Sequence, residues 1–345
     1  MASAAQRGIA VADLARFRRV TTIPLDQTPG QVLRAATQVF VTCPEAHALC
    51  EIDPVKLRAA GRIDLPGRIA AAAVTPDGAS IAVLVDQPAA LLLIHAAKRR
   101  VAKRIALPHA PAGLDVTGAL AAVTSASQDA VMRVSLDAGK LAGVTGIGGG
   151  CGPIRFRMDG KTILVGAQRT RQVVTLDALS GSVLARLPLP FAPERFCFID
   201  TEDDRGGQMF VTGTGEDAIA IVEPYQNQVD QTIVAGRNPF GMAFGVSGSR
   251  NLLFVTNPGS GDLTIFDVDT RQLAASVHVG GNPGEVLLTP NGEYALAINR
   301  DSGDVAVVRI STVLNRGIEM AAKPLLTVFA TGAGPQSAAI IPLPA

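Results

Sequence analysis

Arg68, Arg155 and Arg195 each stand two residues after a proline, at Pro66, Pro153 and Pro193. The same offset from Pro29, Pro111, Pro239, Pro283 and Pro335 marks Gln31, Gly113, Gly241, Glu285 and Ser337. If these positions share one rim, their guanidinium groups repel one another unless an anion or a carboxylate sits among them. Two readings fit. In the first, the rim is a pocket for a carboxylate or phosphate held by bidentate arginine contacts, with Glu194 and Glu285 as partners or Glu285 as a general base. In the second, Arg68, Arg155 and Arg195 pair with Glu194, Glu285 and nearby carbonyls, or face solvent. Asn257 and Asn299 lie toward the same rim, as ligand contacts or as turn residues. His109, just before Pro111, is placed near enough to do acid–base chemistry with Glu285, or is a loop histidine.

Cys43 and Cys50 close the stretch CPEAHALC and face each other across a short turn. Three readings stay open: a cross-strand disulfide, two buried thiols, or, with His47, part of a metal site lacking its fourth ligand. Cys151 and Cys197 have no assigned partner. No CxxCH occurs, so covalent haem is not expected. No HExxH, serine nucleophile elbow or glycine-rich phosphate loop occurs either. The sequence therefore points to no metal and no cofactor. Gly148, Gly149, Gly150 and Gly152 form the one glycine cluster, which reads as a tight backbone crossing.

The elements that would hold such a rim come from a repeat. The pairs Val41 and Asp53, Val83 and His95, Val123 and Ser135, Val165 and Asp177, Val211 and Glu223, Val255 and Asp267, and Ala297 and Arg309 are each 12 positions apart. Each pair brackets two apolar, β-branched runs around a turn, as in Leu253-Phe254-Val255-Thr256 and Leu263-Thr264-Ile265-Phe266 around Asn257-Pro258-Gly259-Ser260-Gly261, which is a hairpin signal. A marker proline and a short apolar run precede each hairpin, and a fourth run follows it. Seven copies of a four-stranded antiparallel unit imply an all-β, seven-bladed β-propeller. The expected blades cover 29–65, 66–107, 108–147, 148–189, 190–235, 236–280 and 281–331. A C-terminal strand over 334–343 and a strand near residues 18–24 are expected to close the ring; because Gly30 to Ala35 also reads as the inner strand of the first blade, either one of the two competing strands is displaced or an eighth, partial blade exists. Residues 1–17 read as an N-terminal extension of a single propeller spanning 18–345.

Leu253-Phe254-Val255-Thr256-Asn257, Asn282-Pro283-Gly284 and Thr289-Pro290-Asn291-Gly292 together resemble the YVTN-type propeller repeat. The resemblance covers about residues 29–345 and is sharpest in the last two units. It implies a seven-bladed propeller like those of surface-layer proteins, lactonase-like hydrolases and quinoprotein dehydrogenases. For a lactonase-like enzyme, the arginines would hold an anionic substrate while Glu285 or His109 activates water.

Composition bounds the partners. The chain has 345 residues, 48% of them hydrophobic, a formal net charge of +1 and a mean hydropathy of +0.29. Its charges are mixed rather than blocked, which argues against nucleic acid, and no apolar run reaches the ~20 residues of a spanning helix, which argues against membrane insertion. The first 19 residues lack an apolar core of signal-peptide length. A periplasmic or secreted location thus requires a signal already removed, and a cytoplasmic one does not. The expected function is a non-catalytic binding or scaffold propeller that recognises an anionic small molecule or a protein partner. The alternatives are a hydrolase of a sugar lactone and the propeller subunit of a larger redox or envelope complex.

Overall fold

A computed structural model describes residues 1–125, 127–199, 207–314 and 324–342. It contains eight four-stranded antiparallel sheets. Seven follow the repeat, over residues 32–64, 69–106, 111–146, 151–188, 192–234, 242–278 and 283–330, and are blades 1 to 7 here. Blade 8 joins the two ends of the chain. Its strands run outward in the order Pro335–Ser337, Ala2–Ser3, Gly8–Asp13 and Arg18–Pro24.

The architecture is thus an eight-bladed propeller, which overturns the seven-bladed fold and with it the YVTN-type resemblance. The cause lies in residues 1–17. They hold two strands, so Val32–Ala35 is free to be the inner strand of blade 1 while Pro335–Ser337 is the inner strand of blade 8. Both terminal segments that seemed to compete for one place have a place each. Of the expected seventh unit, residues 315–323 lie outside the described residues, as does the end of the expected closing strand at Leu343.

Strand chemistry follows position in the blade. Second and third strands are sandwiched between neighbouring blades and are apolar on both faces, as in Thr162–Ala167, where all six residues are buried. Small branched side chains fill that narrow space. Outer strands such as Arg58–Asp64 are exposed and charged. The core is accordingly a ring of eight inter-blade clusters, one per junction, instead of one central core. Inner strands are only partly covered, because one end of each borders the channel. Among the described residues no helix is long and apolar enough to cross a membrane.

Candidate functional site in the channel

A cavity of about 490 Å³ opens where the inner strands converge. Seven of the eight proline-offset positions line it: Gln31, Gly113, Arg155, Arg195, Gly241, Glu285 and Ser337. The repeat itself sets their placement. The buried threonine near the end of a second strand accepts a hydrogen bond from the backbone N–H of the lumen residue. Thr42 Oγ1 takes Gln31 N–H at 2.7 Å, Thr124 Oγ1 takes Gly113 N–H at 2.7 Å and Thr256 Oγ1 takes Gly241 N–H at 2.9 Å. Thr256 also donates to the Gly284 carbonyl at 2.6 Å and so ties blade 6 to blade 7. A small hydroxyl in a buried strand thereby sets the rim.

The charge at the rim is concentrated on blades 4 to 7. Arg195 Cζ lies 3.9 Å from the centre of the Phe240 ring, and Arg300 Cζ lies 4.5 Å from it. Gly284 permits the second contact, since a Cβ there would fall 2.4 Å from Arg300 Nε. Among the described residues neither arginine makes an ion pair, so the aromatic face is what holds them. Arg195 faces the lumen but is crowded by the channel walls. That burial lowers its proton affinity, Glu285 and Glu194 oppose the fall, and Arg300 and Arg155 add to it.

Three carboxyls stand by these cations: Glu194 and Glu285 line the cavity, and Asp115 lies beside Arg155. Glu285 accepts the Ala338 N–H at 3.2 Å, and burial pushes its proton affinity up against the pull of Arg195 and Arg300. Asp115 is likewise raised by burial and opposed by Arg155, whose Nη1 lies 3.8 Å away. One oxygen of Asp115 is committed to the Phe156 N–H at 2.6 Å. Weakly neutralised cations around a ring of aromatic and backbone surface suit an anionic ligand, whose own charge would replace water on the guanidiniums.

Several expected site residues lie elsewhere or do other work. Arg68 turns out of the cavity and pairs with Glu45 at 2.8 Å and more distantly with Asp86 at 4.0 Å. Asn257 is buried, with Nδ2 donating to the carbonyls of Val255 and Asp262 and to Thr264 Oγ1, while Oδ1 accepts the Gly236 N–H. Asn299 is also buried and donates to the Val279 carbonyl at 2.8 Å and Asp304 at 2.6 Å. Both are clamps between adjoining turns. His109 is half-buried in its loop and is not among the cavity-lining residues, whereas Glu194 is. Sequence reasoning missed Phe240, Arg300 and Asp115. Phe240 directly follows marker Pro239 and Arg300 directly follows Asn299, so both were one place from a position already singled out.

Away from the channel, Cys43 and Cys50 are both buried thiols with their sulfurs 3.4 Å apart. Cys50 is lowered to about 7 because its thiolate accepts the Cys43 hydrogen, and Cys43 is correspondingly raised. Among the described residues no group of three His, Cys, Asp or Glu is arranged to hold a metal ion. Gly148, Gly149 and Gly150 all have positive φ, of 67°, 79° and 77°, which confirms a glycine-dependent crossing into blade 4.

Comparison with known proteins places the fold among propellers. No family model matches the chain. A seven-bladed β-propeller protein of Mycobacterium tuberculosis is 25% identical over 149 residues, which span 42% of this chain and 37% of that protein. The solved hydrazine synthase of Kuenenia stuttgartiensis superposes with a TM-score of 0.61 at 20% identity, over 85% of this chain and 98% of that one. The dihydro-heme d1 dehydrogenase NirN in complex with DHE gives a TM-score of 0.77 at 15% identity, over 97% of this chain and 73% of that one. A chain of the mitotic checkpoint complex gives 0.62 at 13% identity, over 79% of this chain and 89% of that one. At such identities the likeness is one of fold. With eight blades in place of seven, the lactonase-like reading loses the resemblance on which it rested.

Proposed function

We propose that this chain is the propeller part of a larger redox assembly and that its channel cavity holds an anionic, carboxylate-bearing ligand. The observation that carries the proposal is the convergence of Arg155 and Arg195 on one lumen, with Arg195 and, behind it, Arg300 stacked on the lumen residue Phe240. A flat ligand with peripheral carboxylates suits both features: its acids meet the guanidiniums and its face meets the aromatic ring. The fold likeness to a dihydro-heme d1 dehydrogenase, and to a hydrazine synthase, supports the redox setting. The mitotic checkpoint likeness shows that the fold alone does not choose, so the weight falls on the cavity chemistry.

The test is a titration of the purified chain with carboxylate-bearing tetrapyrroles, aliphatic tricarboxylates and their neutral esters, followed by thermal shift and absorbance. Binding of an acid with at least tenfold preference over its ester, lost in Arg195→Ala/Arg300→Ala, supports the reading. Equal behaviour of acids and esters, or binding indifferent to the double substitution, overturns it. A preference for tricarboxylates over tetrapyrroles would keep the anion site and remove the flat-ligand part.

A further inference from the structure

Charge that is scattered along the sequence is gathered by the repeat. Three positions after the end of the third strand stand Arg16, Lys56 and Lys98, in blades 8, 1 and 2, and two positions further on stand Arg18, Arg58 and Arg100. All six are exposed. In blade 3 only Lys140 remains, and the same two positions in blades 4, 5 and 6 hold Ser180 and Ser182, Gln226 and Gln228, and Thr270 and Gln272. From the end of the third strand through the outer strand, residues 13–24, 53–64 and 95–106 carry formal charges of +2, +1 and +5. The matching residues 177–188, 223–234 and 267–278 carry 0, −2 and −1. Blades 8, 1 and 2 are consecutive, joined by shared apolar cores, so their basic side chains form one arc on the outer wall of the ring.

The arc is held in place yet left largely unpaired. Asp53 Oδ1 accepts the Val55 and Lys56 N–H groups at 3.0 and 2.9 Å, and Asp13 Oδ1 accepts the Ala15 N–H at 2.9 Å, so both carboxylates are tied to turn backbone. Of the six cations, Arg16 alone makes an ion pair among the described residues, with Asp13 at 2.9 Å. Arg99, between Lys98 and Arg100, reaches back to blade 1 and grips buried Glu51 at 2.6 and 3.0 Å. That bridge fixes the turn of blade 2 against blade 1. Each of the three blades also exposes one valine beside its cations: Val20, Val55 and Val101. Protection of the sheet edge does not account for the arc. Basic side chains do keep an outer strand from pairing with another chain, but Gln272–His278 of blade 6 and Leu325–Ala330 of blade 7 are outer strands too and carry no Lys or Arg.

We propose that the arc of blades 8, 1 and 2 is the docking surface for an acidic segment of a partner protein, one whose carboxylates are interspersed with apolar side chains. The carboxylates complement a row of unpaired cations, and the apolar side chains cover the three valines. A nucleic acid fits less well, because its bases need aromatic faces to stack on. The three segments hold one aromatic residue, Phe17, and its ring packs on Tyr294 at 5.0 Å. A membrane surface is flat and would also meet the acidic turns of blades 5 and 6, which lie on the same face, and the arc has no Trp or Tyr to anchor it there. The outer strands run from these turns toward the marker prolines. The arc therefore lies on the face away from the lumen rim, and its partner and the channel ligand are separate.

The test is fluorescence anisotropy of a labelled dodecapeptide, (Glu-Glu-Leu)4, and its neutral counterpart, (Gln-Gln-Leu)4, with the full chain. The acidic peptide should bind at least about tenfold more tightly than the neutral one and weaken severalfold between about 50 and about 300 mM salt. Arg18→Ala/Arg58→Ala/Arg100→Ala should lose at least about tenfold in affinity, while Arg18→Lys/Arg58→Lys/Arg100→Lys should lose less than about threefold, since charge carries the contact. The lumen variant Arg195→Ala/Arg300→Ala should bind the peptide as wild type does. Equal binding of the two peptides, or a loss in the lumen variant with none in the arc variant, overturns the proposal. So does tighter binding of a DNA duplex of about 20 base pairs, or of vesicles containing phosphatidylserine, that is lost in the same arc variant, since the arc would then face a nucleic acid or a membrane.

Discussion

Arg195 is held over the ring of Phe240 at 3.9 Å, and no ion pair competes for it among the described residues. The contact fixes a charged group at the lumen without neutralising it, whereas a carboxylate partner would fix it and cancel it. Arg300 uses the same ring at 4.5 Å, so a single aromatic side chain positions two cations.

Phe240→Leu should therefore weaken anion binding about tenfold while leaving the blades intact. Each cation–π contact is worth roughly 0.5–2 kcal/mol, and ~1.4 kcal/mol corresponds to a tenfold change. Titration of the same anionic probe against wild type and variant measures it. Arg155→Ala/Arg195→Ala should lose more, because it removes charge and not just its placement. Unchanged affinity in the double variant would show that the lumen arginines have no ligand role.

Glu285 gives the site a pH dependence of definite sign. Its folded proton affinity is raised by burial, so the carboxyl contributes stability below its ordinary value near 4.3 and loses that contribution as pH rises through its raised, folded value. Glu285→Gln should thus be more stable than wild type at pH 8, with the difference vanishing below about pH 4. An aryl sulfonate probe, ionised throughout, should bind wild type more tightly as pH falls and neutralises Glu285, and should bind Glu285→Gln with a flat profile from this group. Chemical denaturation and probe affinity at pH 4, 6 and 8 check both arms.

Seven blades were legible in the sequence because a hairpin of fixed strand and turn length forces its markers 12 positions apart. The eighth escaped because its markers are split. Asp13 stands 40 residues before Asp53 and carries the second marker, while the marker proline of the same blade, Pro335, stands more than 300 residues further along the chain. The rim was legible for a related reason: marker prolines set where inner strands start, and seven of eight offset positions do line the lumen. Side-chain direction was not. Arg68 is drawn away by Glu45, which lies in the turn of the neighbouring blade and is 23 residues distant in sequence. Phe240 and Arg300 meet only through the packing of blade 6 against blade 7, which no local pattern encodes.

Asn257 tests the division between structure and site. Its fully buried side chain makes four hydrogen bonds, and none of its partners lines the channel cavity. Asn257→Ala should destabilise by roughly 2–4 kcal/mol, since it strands several buried groups at 1–3 kcal/mol apiece. The urea midpoint should fall with its slope unchanged. Anion affinity of the folded variant should stay within twofold of wild type. A large loss of affinity at unchanged stability would return Asn257 to the binding site.

Cys43 and Cys50 are positioned for chemistry that the other two cysteines cannot share. Their sulfurs are 3.4 Å apart and need to close to about 2.05 Å to bond. Cys50, lowered to about 7, supplies the thiolate, while burial pushes Cys151 and Cys197 up to about 11. Exposure of the native protein to oxidised glutathione should therefore join Cys43 to Cys50: the Cys50 thiolate attacks the glutathione disulfide and releases one glutathione thiolate. Cys43 then attacks the mixed disulfide and releases the second. Two thiols are oxidised and one disulfide is reduced, so the step balances. Peptide mapping should show residues 43 and 50 linked, with the mass lower by two hydrogens and Cys151 and Cys197 still free. The bridge would close the hairpin turn between the second and third strands of blade 1 and raise Tm, an effect that reductant reverses. If mapping instead finds Cys151 or Cys197 oxidised first, exposure and not thiolate character governs these cysteines, and the pair is merely packed core.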